Sequence, residues 1–417
     1  MPRVERASRP VSLLMVLMCL LGTLVAGVVL KASCAGGDWA DGRQYTRFCY
    51  SDIVPLLDAE QLAGGRLPFV QACLETEGQC DEYPVLTMYF MRAAGWIGGE
   101  TTTGFFMANV LLLWVCAAAI ATCVYMLGGK PLWFALAPTL VVYGFMNWDL
   151  FAVALATGGL LAFARRRDGW AGILLGLGAA AKFYPALLVI PLIAARLHDR
   201  EPDGAIRIGW SAAGTWLLVN LPFAAASPSG WWEFFRFNSA RPADWDSLWY
   251  IGCQHVHLAA VCGQTARINA LSLALFIASF AGIWVWKARR EPGFARWTLA
   301  FPMLLLFLLS NKVYSPQYGL WLLPFFALGS IDLRQYVAFE AADIAVFVTR
   351  FSFFGRYTGF GGLPFGAFEI AIAARTLILV WCLVTWVRRP APTLATPELP
   401  APESSAADAS AGVEAPA

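Results

Sequence analysis

Long apolar segments separated by short polar ones run through most of this chain. The first apolar segment, residues 11–30, carries no charged side chain. It has the length of about 20 residues that a helix needs to cross a bilayer core. Each further apolar segment predicts another spanning helix, although several are shorter than a standard span. These segments are residues 104–127, 208–225, 268–286, 297–309, 319–328, 338–348 and 370–387.

Two other apolar segments are too long for one span and too short for two complete ones. Residues 131–165 contain Asn147-Trp148-Asp149 near their middle, and residues 170–195 contain Lys182-Phe183-Tyr184-Pro185. A continuous helix would leave these polar groups in lipid, so each segment is predicted to form two short helices that meet at the polar residues. Broken helices are tolerated at membrane depth only where they line a protein or water-filled cavity. The pattern predicts an all-α protein with about twelve transmembrane helices.

The composition agrees with this pattern. Hydrophobic residues make up 59% of the 417 residues, charged residues make up 14%, and the mean hydropathy is +0.59. A soluble globular chain is about 45–50% apolar and about 25% charged. The net charge of +2 and the lack of a basic block give no sign of a nucleic-acid partner. Residues 1–388 are predicted to form one integral membrane domain, and the Pro/Ala/Glu-rich residues 389–417 a disordered cytoplasmic tail.

Basic residues at the segment ends predict the side on which each loop lies. Lys and Arg favour the cytoplasmic side, so the basic clusters place both termini in the cytoplasm. Two long loops, about 31–103 and about 226–267, then lie outside, together with the polar residues that interrupt apolar segments. We therefore predict a multi-pass cell-membrane protein with an extracytoplasmic site. The clusters are residues 165–167, Arg196 with Arg200 and Arg207, Lys287 with Arg289, Arg290 and Arg296, and residues 388–389.

A cleaved secretory signal is the competing interpretation of residues 11–30. The apolar region is too long for a signal, and Lys31 lies where an apolar residue is needed for cleavage. We therefore interpret this segment as the first transmembrane helix.

Six of the ten cysteines fall in the predicted outer loops as pairs that are close in sequence. An even number of cysteines on the outer side suits disulfides in an oxidising compartment. Zinc ligation is the alternative, and the lack of a tight Cys-x-x-Cys pair argues against it. The pairing itself stays open at this point. The pairs are Cys34 with Cys49, Cys73 with Cys80, and Cys253 with Cys262.

The first outer loop holds an acidic stretch, residues 48–83, that includes Asp52 and Glu82. Asp52 precedes an apolar run, and we expect a short juxtamembrane helix there to lay Ile53, Leu56 and Leu57 on lipid. A carboxylate held at the membrane surface suits a general base that takes a proton from a hydroxyl. The alternative is a helix cap, a common role for Ser and Asp.

Lys182 and Lys312 each stand in an apolar context and are each followed by an aromatic residue and a proline. Burying a lysine at membrane depth has an unfavourable free energy, so such a lysine indicates a functional site. Together with Arg241, which lies among aromatic residues of the second loop, these lysines suit a lipid-linked phosphate. The alternative for each lysine is snorkelling to the headgroups. The chain has no Walker loop, dinucleotide fingerprint or nucleophile elbow, and a donor used without nucleotide fits a polyprenyl-phosphate sugar.

Six short motifs occur in this order along the chain: Tyr50-Ser51-Asp52, Gly65-Arg66-Leu67-Pro68-Phe69, Glu82-Tyr83-Pro84-Val85, Asn147-Trp148-Asp149-Leu150, Lys182-Phe183-Tyr184-Pro185 and Lys312-Val313-Tyr314-Ser315-Pro316-Gln317-Tyr318. The set resembles the actinobacterial polyprenol-phosphate-mannose-dependent α-(1→2)-mannosyltransferases of phosphatidylinositol mannoside synthesis, which are GT-C fold enzymes. The resemblance runs from the first span to about Trp321 and is strongest in the first outer loop and the last motif.

The resemblance implies an inverting hexosyltransferase of the cell envelope, most simply a mannosyltransferase, with Asp52 in the place of the family's essential aspartate. The donor is then a polyprenyl-phosphate sugar, and the acceptor is a hydroxyl of a lipid or glycan. We take Tyr50, Asp58, Glu82 and Tyr83 as candidates for binding the acceptor. The candidates for binding the phosphate or sugar of the donor are Asn147, Asp149, Lys182, Tyr184, Arg241, Trp249, Lys312, Tyr314 and Gln317.

Two alternatives stay open at the level of sequence. Related enzymes of the same architecture transfer arabinofuranose from decaprenyl phosphate, so the resemblance leaves the donor sugar undecided. A lipid or solute transporter would also have broken helices and buried charges, but it predicts an inverted repeat, and none is visible in this chain. No cofactor and no metal-ligand set is predicted, and participation of a divalent metal is left open.

Overall fold

The computed structural model describes residues 11–73, 80–99, 101–256 and 260–392, and all regular secondary structure in them is helical. The residues before 11 and those of the predicted tail from 393 onward lie outside this description. The α-helices are α1 Leu13–Ala32, α2 Arg43–Thr46, α3 Leu56–Ala59, α4 Val85–Gly98, α5 Thr102–Met126, α6 Pro131–Ala135, α7 Pro138–Tyr143, α8 Asp149–Ala164, α9 Asp168–Ala181, α10 Tyr184–His198, α11 Pro202–Ala226, α12 Pro228–Ala240, α13 Leu248–Val256, α14 Thr265–Arg290, α15 Ala300–Ser310, α16 Leu323–Phe325, α17 Leu333–Tyr357 and α18 Phe365–Arg388.

Local sequence signals explain where the long helices begin. Ser12 caps α1 by accepting a hydrogen bond from the Met15 amide at 3.2 Å. Thr101 caps α5 in the same way. At the start of α17, the Asp332 side chain accepts a hydrogen bond from the Gln335 amide, and the Gln335 side chain accepts one from the Asp332 amide, which is a capping box. Each cap satisfies a backbone donor that the first helical turn leaves unpaired.

The two predicted helix breaks are present. Helix α7 ends at Tyr143 and α8 begins at Asp149, so Asn147 lies in the break between them. Helix α9 ends at Ala181 and α10 begins at Tyr184, and Lys182 lies in that break. The prediction that polar residues would interrupt these apolar segments is confirmed.

Within the described residues, four helices are long and apolar enough to cross a membrane: α1 with its extension to Gly37, α5, α14 and α18. Their outward faces carry large apolar side chains, such as Leu14, Val115 and Ile370, which are 71%, 65% and 73% exposed. A soluble protein does not expose apolar surface on this scale, so these faces suit contact with lipid. The prediction of about twelve transmembrane helices goes beyond these four and stays a prediction.

The segment after α15 is irregular, although a regular span was predicted at residues 319–328. It consists of a 3₁₀ turn over Pro316–Trp321, the short α16 and a π turn over Phe326–Ser330. The chain approaches α17 so closely here that a Cβ on Gly319 would lie 2.3 Å from Asp343 Oδ2. The prediction of a regular helix is therefore wrong for this segment.

Helix α17 is longer than the predicted span at 338–348 and continues to Tyr357. Residues 351–365 were predicted to form an outer loop, and that boundary is wrong by about two helical turns. The polar residues Thr349 and Arg350, which look like the end of a span in the sequence, lie within the helix.

The helix ends form two sets at opposite ends of the bundle. At one end, which we name the basic end, the predicted basic clusters form ion pairs with acidic residues, including Arg196 with Asp168 at 2.7 Å and Lys287 with Glu291 at 2.7 Å. At the other end, named the cavity end, lie the C-terminus of α1 and the two helix breaks. Which end faces the cytoplasm stays a prediction.

The six cysteines of the predicted outer loops are joined as the three sequence-close pairs, Cys34–Cys49, Cys73–Cys80 and Cys253–Cys262. The Cys34–Cys49 disulfide ties the chain just after α1 to the residue that precedes Tyr50. It therefore fixes the start of the acidic stretch next to the end of α1.

Candidate active site

A cavity of about 730 Å³ lies where the helix breaks meet the first loop. Its walls come from the first loop, both breaks, α12, the segment after α15 and the C-terminal part of α17. Ten of the residues singled out in the sequence line it: Tyr50, Asp52, Glu82, Tyr83, Asn147, Lys182, Tyr184, Arg241, Lys312 and Gln317. Residues far apart in the chain therefore share one space.

Hydrogen bonds hold Asp52 against the break between α7 and α8. The Ser51 hydroxyl donates to the Phe145 carbonyl at 2.8 Å, and the Asp52 amide donates to the Met146 carbonyl at 2.8 Å. The Asp52 carboxylate accepts hydrogen bonds at Oδ2 from Asn147 Nδ2 at 3.0 Å and from Gln317 Nε2 at 3.3 Å. The carboxylate is thus oriented by neutral amides and is half-buried at the cavity wall.

The apolar residues after Asp52 do not lie on lipid as predicted. Ile53 is 0% and Leu57 2% exposed, and both belong to the protein core. Helix α3 has only four residues, too few to form a lipid-facing stripe. Asp52 is therefore held by protein contacts on both sides.

Two phenols lie beside Asp52. Asn147 Nδ2 also donates to the Tyr83 hydroxyl at 2.9 Å, and the Tyr50 ring stacks on Phe351 with 4.7 Å between centroids. The Asp52 charge raises the pKa of Tyr50 well above its usual value, and burial, followed by the Asp52 charge, does the same for Tyr83. Both hydroxyls therefore stay protonated at neutral pH. They are suited to hydrogen-bonding a substrate rather than to proton transfer.

Glu82, which precedes Tyr83 in the chain, also lines the cavity. Burial raises the pKa of Glu82 above its usual value, and the nearby Arg241 charge opposes that shift. This placement is compatible with the predicted contact to an acceptor.

Lys182 faces the cavity and is held from behind by Asp149. Lys182 Nζ lies 2.7 Å from Asp149 Oδ1, which also accepts a hydrogen bond from Trp321 Nε1 at 2.6 Å. The ammonium stands 4.9 Å from the centroid of the Tyr318 ring, and Tyr184 stacks on Trp321 at 4.2 Å. Asp149 is fully buried and does not line the cavity, so it reaches the site through its contacts with Lys182 and Trp321.

Lys312 has a different environment, although its sequence context resembles that of Lys182. Its ammonium donates to the carbonyls of Asn238, Ser239 and Arg241 at 2.9, 3.3 and 2.6 Å. Burial, with a further contribution from the Arg241 charge, lowers the pKa of Lys312 to about 8. All three donors of the ammonium are used on the C-terminal carbonyls of α12, so in this arrangement Lys312 fixes that helix and offers no donor to a phosphate.

Three other candidates lie away from the cavity. Asp58 is exposed on α3. The Trp249 indole donates to the Ser310 carbonyl at 2.7 Å, and the Tyr314 ring lies under Arg375 at 3.8 Å. Trp249 and Tyr314 therefore make contacts within the protein, next to the segment that carries Gln317.

The model of glycosyltransferase family 87 matches residues 83–310, more than half of the 417-residue chain. The chain belongs to glycosyltransferase family 87. No curated protein matches it.

The family 87 match covers part of the cavity. It includes Tyr83, both helix breaks and Arg241, but it begins after Asp52 and ends before Lys312. The resemblance in the first loop and in the last motif, which contain Asp52 and Gln317, therefore rests on the sequence motifs and on the geometry. The closer resemblance to mannosyltransferases stays a prediction.

Two cations of this family 87 chain were not recognised as site residues in the sequence. Arg350 of α17 lines the cavity, pairs with the buried Asp246 and lies 3.8 Å from Asp244. Lys31 at the end of α1 is fully buried and donates to the Tyr50 carbonyl. A charge next to an apolar segment is the signal that the sequence offers for both, but Arg350 falls at the predicted start of an outer loop and Lys31 falls at the predicted end of the first span.

Proposed function

We propose that this glycosyltransferase moves a sugar from a polyprenyl phosphate to a hydroxyl of a lipid or glycan acceptor, on the outer face of the cell membrane and with inversion at the anomeric carbon. Family membership supports sugar transfer as the reaction class. The observation that carries the proposal is the cavity itself, where the Asp52 carboxylate and the cations of Lys182, Arg241 and Arg350 line one space among helices with lipid-suited faces.

Asp52 is the general base in this proposal. Its carboxylate takes the proton of the acceptor hydroxyl while the acceptor oxygen forms a bond to the anomeric carbon. The bond from that carbon to the phosphate oxygen breaks, and the polyprenyl phosphate leaves with the electron pair. Asn147 and Gln317 hold the carboxylate before the acceptor arrives, and a pre-oriented base favours proton transfer.

Lys182 and Arg350 are the proposed contacts of the leaving phosphate. Negative charge grows on that phosphate as the bond to the sugar breaks, so a fixed cation stabilises the transition state more than the ground state. Both side chains are held in place by buried carboxylates, Lys182 by Asp149 and Arg350 by Asp246. Arg241, which is paired with Asp244 at 3.0 Å, is a third candidate. The contacts of Lys312 support a different role for it, which is to fix α12.

Aromatic side chains supply surfaces on which a sugar ring can stack. Tyr318 and Trp321 line the cavity beside the Lys182 ammonium, and Phe237 of α12 lines the same cavity. We propose mannose as the donor sugar because of the motif resemblance. Arabinofuranose is the alternative donor sugar, and transfer of the two sugars must be compared. Tyr50 and Tyr83 are proposed contacts of the acceptor because they lie beside Asp52. Glu82 is a further proposed contact, because it lines the same cavity and precedes Tyr83 in the chain.

Purified protein in lipid nanodiscs, supplied with labelled polyprenyl-phosphate mannose or arabinofuranose and with candidate lipid acceptors, tests the proposal. We expect transfer by the wild-type protein and a loss of about 100-fold or more for Asp52→Asn, the range for removing a general base. Asp38→Asn is the matched control, because Asp38 is an exposed acid of the same loop with a left-handed backbone that Asn tolerates. Near-normal transfer by Asp52→Asn would exclude Asp52 as the base.

A further inference from the structure

A buried turn of the first loop leads directly into Glu82 and Tyr83, two of the proposed acceptor contacts. Asp81 in this turn has a left-handed backbone with φ of 64°, which is uncommon for a residue with a side chain. The Glu60 side chain, which is 0% exposed, accepts the Asp81 amide at Oε2 over 2.6 Å and the Glu82 amide at Oε1 over 3.3 Å. Successive amides of a turn form a concave anion site, and the Glu60 carboxylate occupies it.

Arg66 joins the two acids of this network. Its guanidinium donates to both oxygens of the Asp81 carboxylate, at 2.8 and 3.2 Å, and to the Glu60 carbonyl at 3.0 and 3.1 Å. The Phe69 amide donates to the same Asp81 carboxylate at 3.2 Å. Arg66, Asp81 and Glu60 are all buried. The motif Gly65-Arg66-Leu67-Pro68-Phe69, which supplies no residue to the cavity wall, therefore builds the support of this turn.

Tyr83 connects the turn to the cavity. It directly follows the second of the two amides that Glu60 binds. Its hydroxyl accepts a hydrogen bond from Asn147 Nδ2 at 2.9 Å, and the same nitrogen donates to Asp52 Oδ2 at 3.0 Å. Glu60 is not among the described residues that line the cavity. Any effect of Glu60 on the reaction must therefore pass through the residues that follow the turn.

The charged groups that face Glu60 are Arg66, at 4.0 Å from Oε2, and the carboxylates of Asp81 and Glu82. Burial raises the pKa of Glu60 to about 7, and the hydrogen bond from the Asp81 amide opposes that rise. At about pH 8.5 the side chain is mostly a carboxylate, which can accept both amides. The experiments below are therefore set at that pH.

We propose that Glu60 is a positioning residue for acceptor binding, because its carboxylate holds the turn that places Glu82 and Tyr83 at the cavity. The inference rests on the proposed function, in which these two residues contact the acceptor. Glu60 itself touches neither substrate. The alternative is a network that only stabilises the first loop.

Glu60→Gln is the variant that tests the proposal. It keeps the size of the side chain but sets an amide nitrogen opposite one of the two backbone donors, which then lacks an acceptor. Arg66 and Asp81 remain paired at 2.8 Å, so no buried charge loses its partner. Glu60→Asp, whose shorter side chain cannot reach both amides, is the second variant if Glu60→Gln does not fold.

Glu340→Gln is the matched control. Glu340 is also buried, and its carboxylate accepts hydrogen bonds from the Thr139 amide at 2.9 Å and from the Thr139 hydroxyl at 3.1 Å. It is not among the described residues that line the cavity. Its substitution therefore reports the general effect of losing a buried carboxylate that binds the backbone.

The first readout needs no substrate. With 3-fluorotyrosine in place of Tyr83, fluorine NMR reports the surroundings of this ring. We expect the resonance to move in Glu60→Gln and in Glu60→Asp, and to keep its wild-type position in Glu340→Gln. An unmoved resonance in a folded Glu60 variant would overturn the proposal.

The second readout is the kinetics of sugar transfer. We expect Glu60→Gln to raise the KM for the acceptor by about tenfold, the effect of losing one hydrogen bond of this kind, and to leave the KM for the donor unchanged. A network that only stabilises the loop would reduce the active fraction of the protein, and hence the apparent kcat, while leaving both KM values in place. That result would also overturn the proposal.

A double variant tests whether the effect passes through Tyr83. Tyr83→Phe has already lost the hydroxyl contact, so adding Glu60→Gln should raise the acceptor KM by a smaller factor than it does in the wild-type protein. Equal factors in the two backgrounds would overturn the proposed route. If the wild-type protein transfers no sugar but the fluorine resonance moves, the proposed function fails while the placement of Tyr83 by Glu60 stands.

Discussion

Asp149 and Lys182 form a buried ion pair in the wall of the cavity, with 2.7 Å between Oδ1 and Nζ. The Asp149 side chain is 1% and that of Lys182 16% exposed. Removing one partner of such a pair leaves the other charge unpaired and destabilises a protein by about 3–5 kcal/mol. A single substitution at Lys182 would therefore mix a loss of stability with any loss of donor binding.

A double variant separates the two effects. Lys182→Met should lower the thermal unfolding temperature and raise the KM for the polyprenyl-phosphate donor by about tenfold or more, the value of one charge-assisted hydrogen bond. Lys182→Met combined with Asp149→Leu should recover most of the stability, because no buried charge is left unpaired. The donor KM should stay high, because the cation that contacts the phosphate is still missing. Thermal unfolding and donor titration of the same preparations measure both quantities.

The buried pair Arg196 and Asp168 at the basic end is the matched control for this experiment. Arg196→Met with Asp168→Leu should leave the donor KM unchanged. A return of the donor KM to the wild-type value in the Lys182 and Asp149 double variant would show that Lys182 does not bind the phosphate.

Helix α1 and the first loop act as one element because the Cys34–Cys49 disulfide closes a loop between them. The two cysteines are 15 residues apart in sequence, and a bridge across a loop of that length stabilises by about 3 kcal/mol in the chain-entropy model. The bridge also fixes Tyr50 on Lys31, and through it the position of Asp52. Its loss should therefore affect the reaction as well as stability.

We expect Cys34→Ser with Cys49→Ser to lower sugar transfer by between about tenfold and 100-fold, because a base displaced by about 1 Å loses activity on that scale. Cys253→Ser with Cys262→Ser removes a disulfide of the second loop, whose cysteines are 9 residues apart, and should have a smaller effect. The rate of transfer at saturating donor is the measurement. Equal losses in the two double variants would indicate a general effect of disulfides on folding.

The elements that the sequence could predict are those with a strong local signal. The breaks at Asn147 and Lys182 were predictable because a polar group within an apolar segment cannot face lipid. The irregular segment after α15 was not, because its form depends on the close packing of Gly319 against α17. The helical course of α17 through Arg350 was missed for a similar reason, since the partner that accommodates this arginine, Asp246, lies 104 positions away in the sequence.

At the scale of the whole molecule, the common location of ten candidate residues around one cavity followed from the sequence, because the helix breaks and the first loop belong to one set of helix ends. Individual roles did not follow. Lys182 and Lys312 have similar sequence neighbours and both line the cavity, yet the Lys182 ammonium is paired with Asp149 and the Lys312 ammonium binds the end of α12. Such roles depend on which distant carbonyls and carboxylates surround each ammonium, and no local pattern encodes them.

The two ends of the bundle should lie on opposite sides of the membrane, with the cavity end outside. Basic residues favour the cytoplasmic side, and the basic end gathers the clusters around Arg196 and Lys287. In a background without the four cysteines that lie outside the disulfides, a membrane-impermeant maleimide should label Thr358→Cys on intact cells, because Thr358 is exposed at the cavity end. Arg166→Cys, at a position whose side chain is 64% exposed at the basic end, should be labelled only after permeabilisation. The reverse pattern would place the cavity on the cytoplasmic side and contradict the proposed location of the reaction on the outer face.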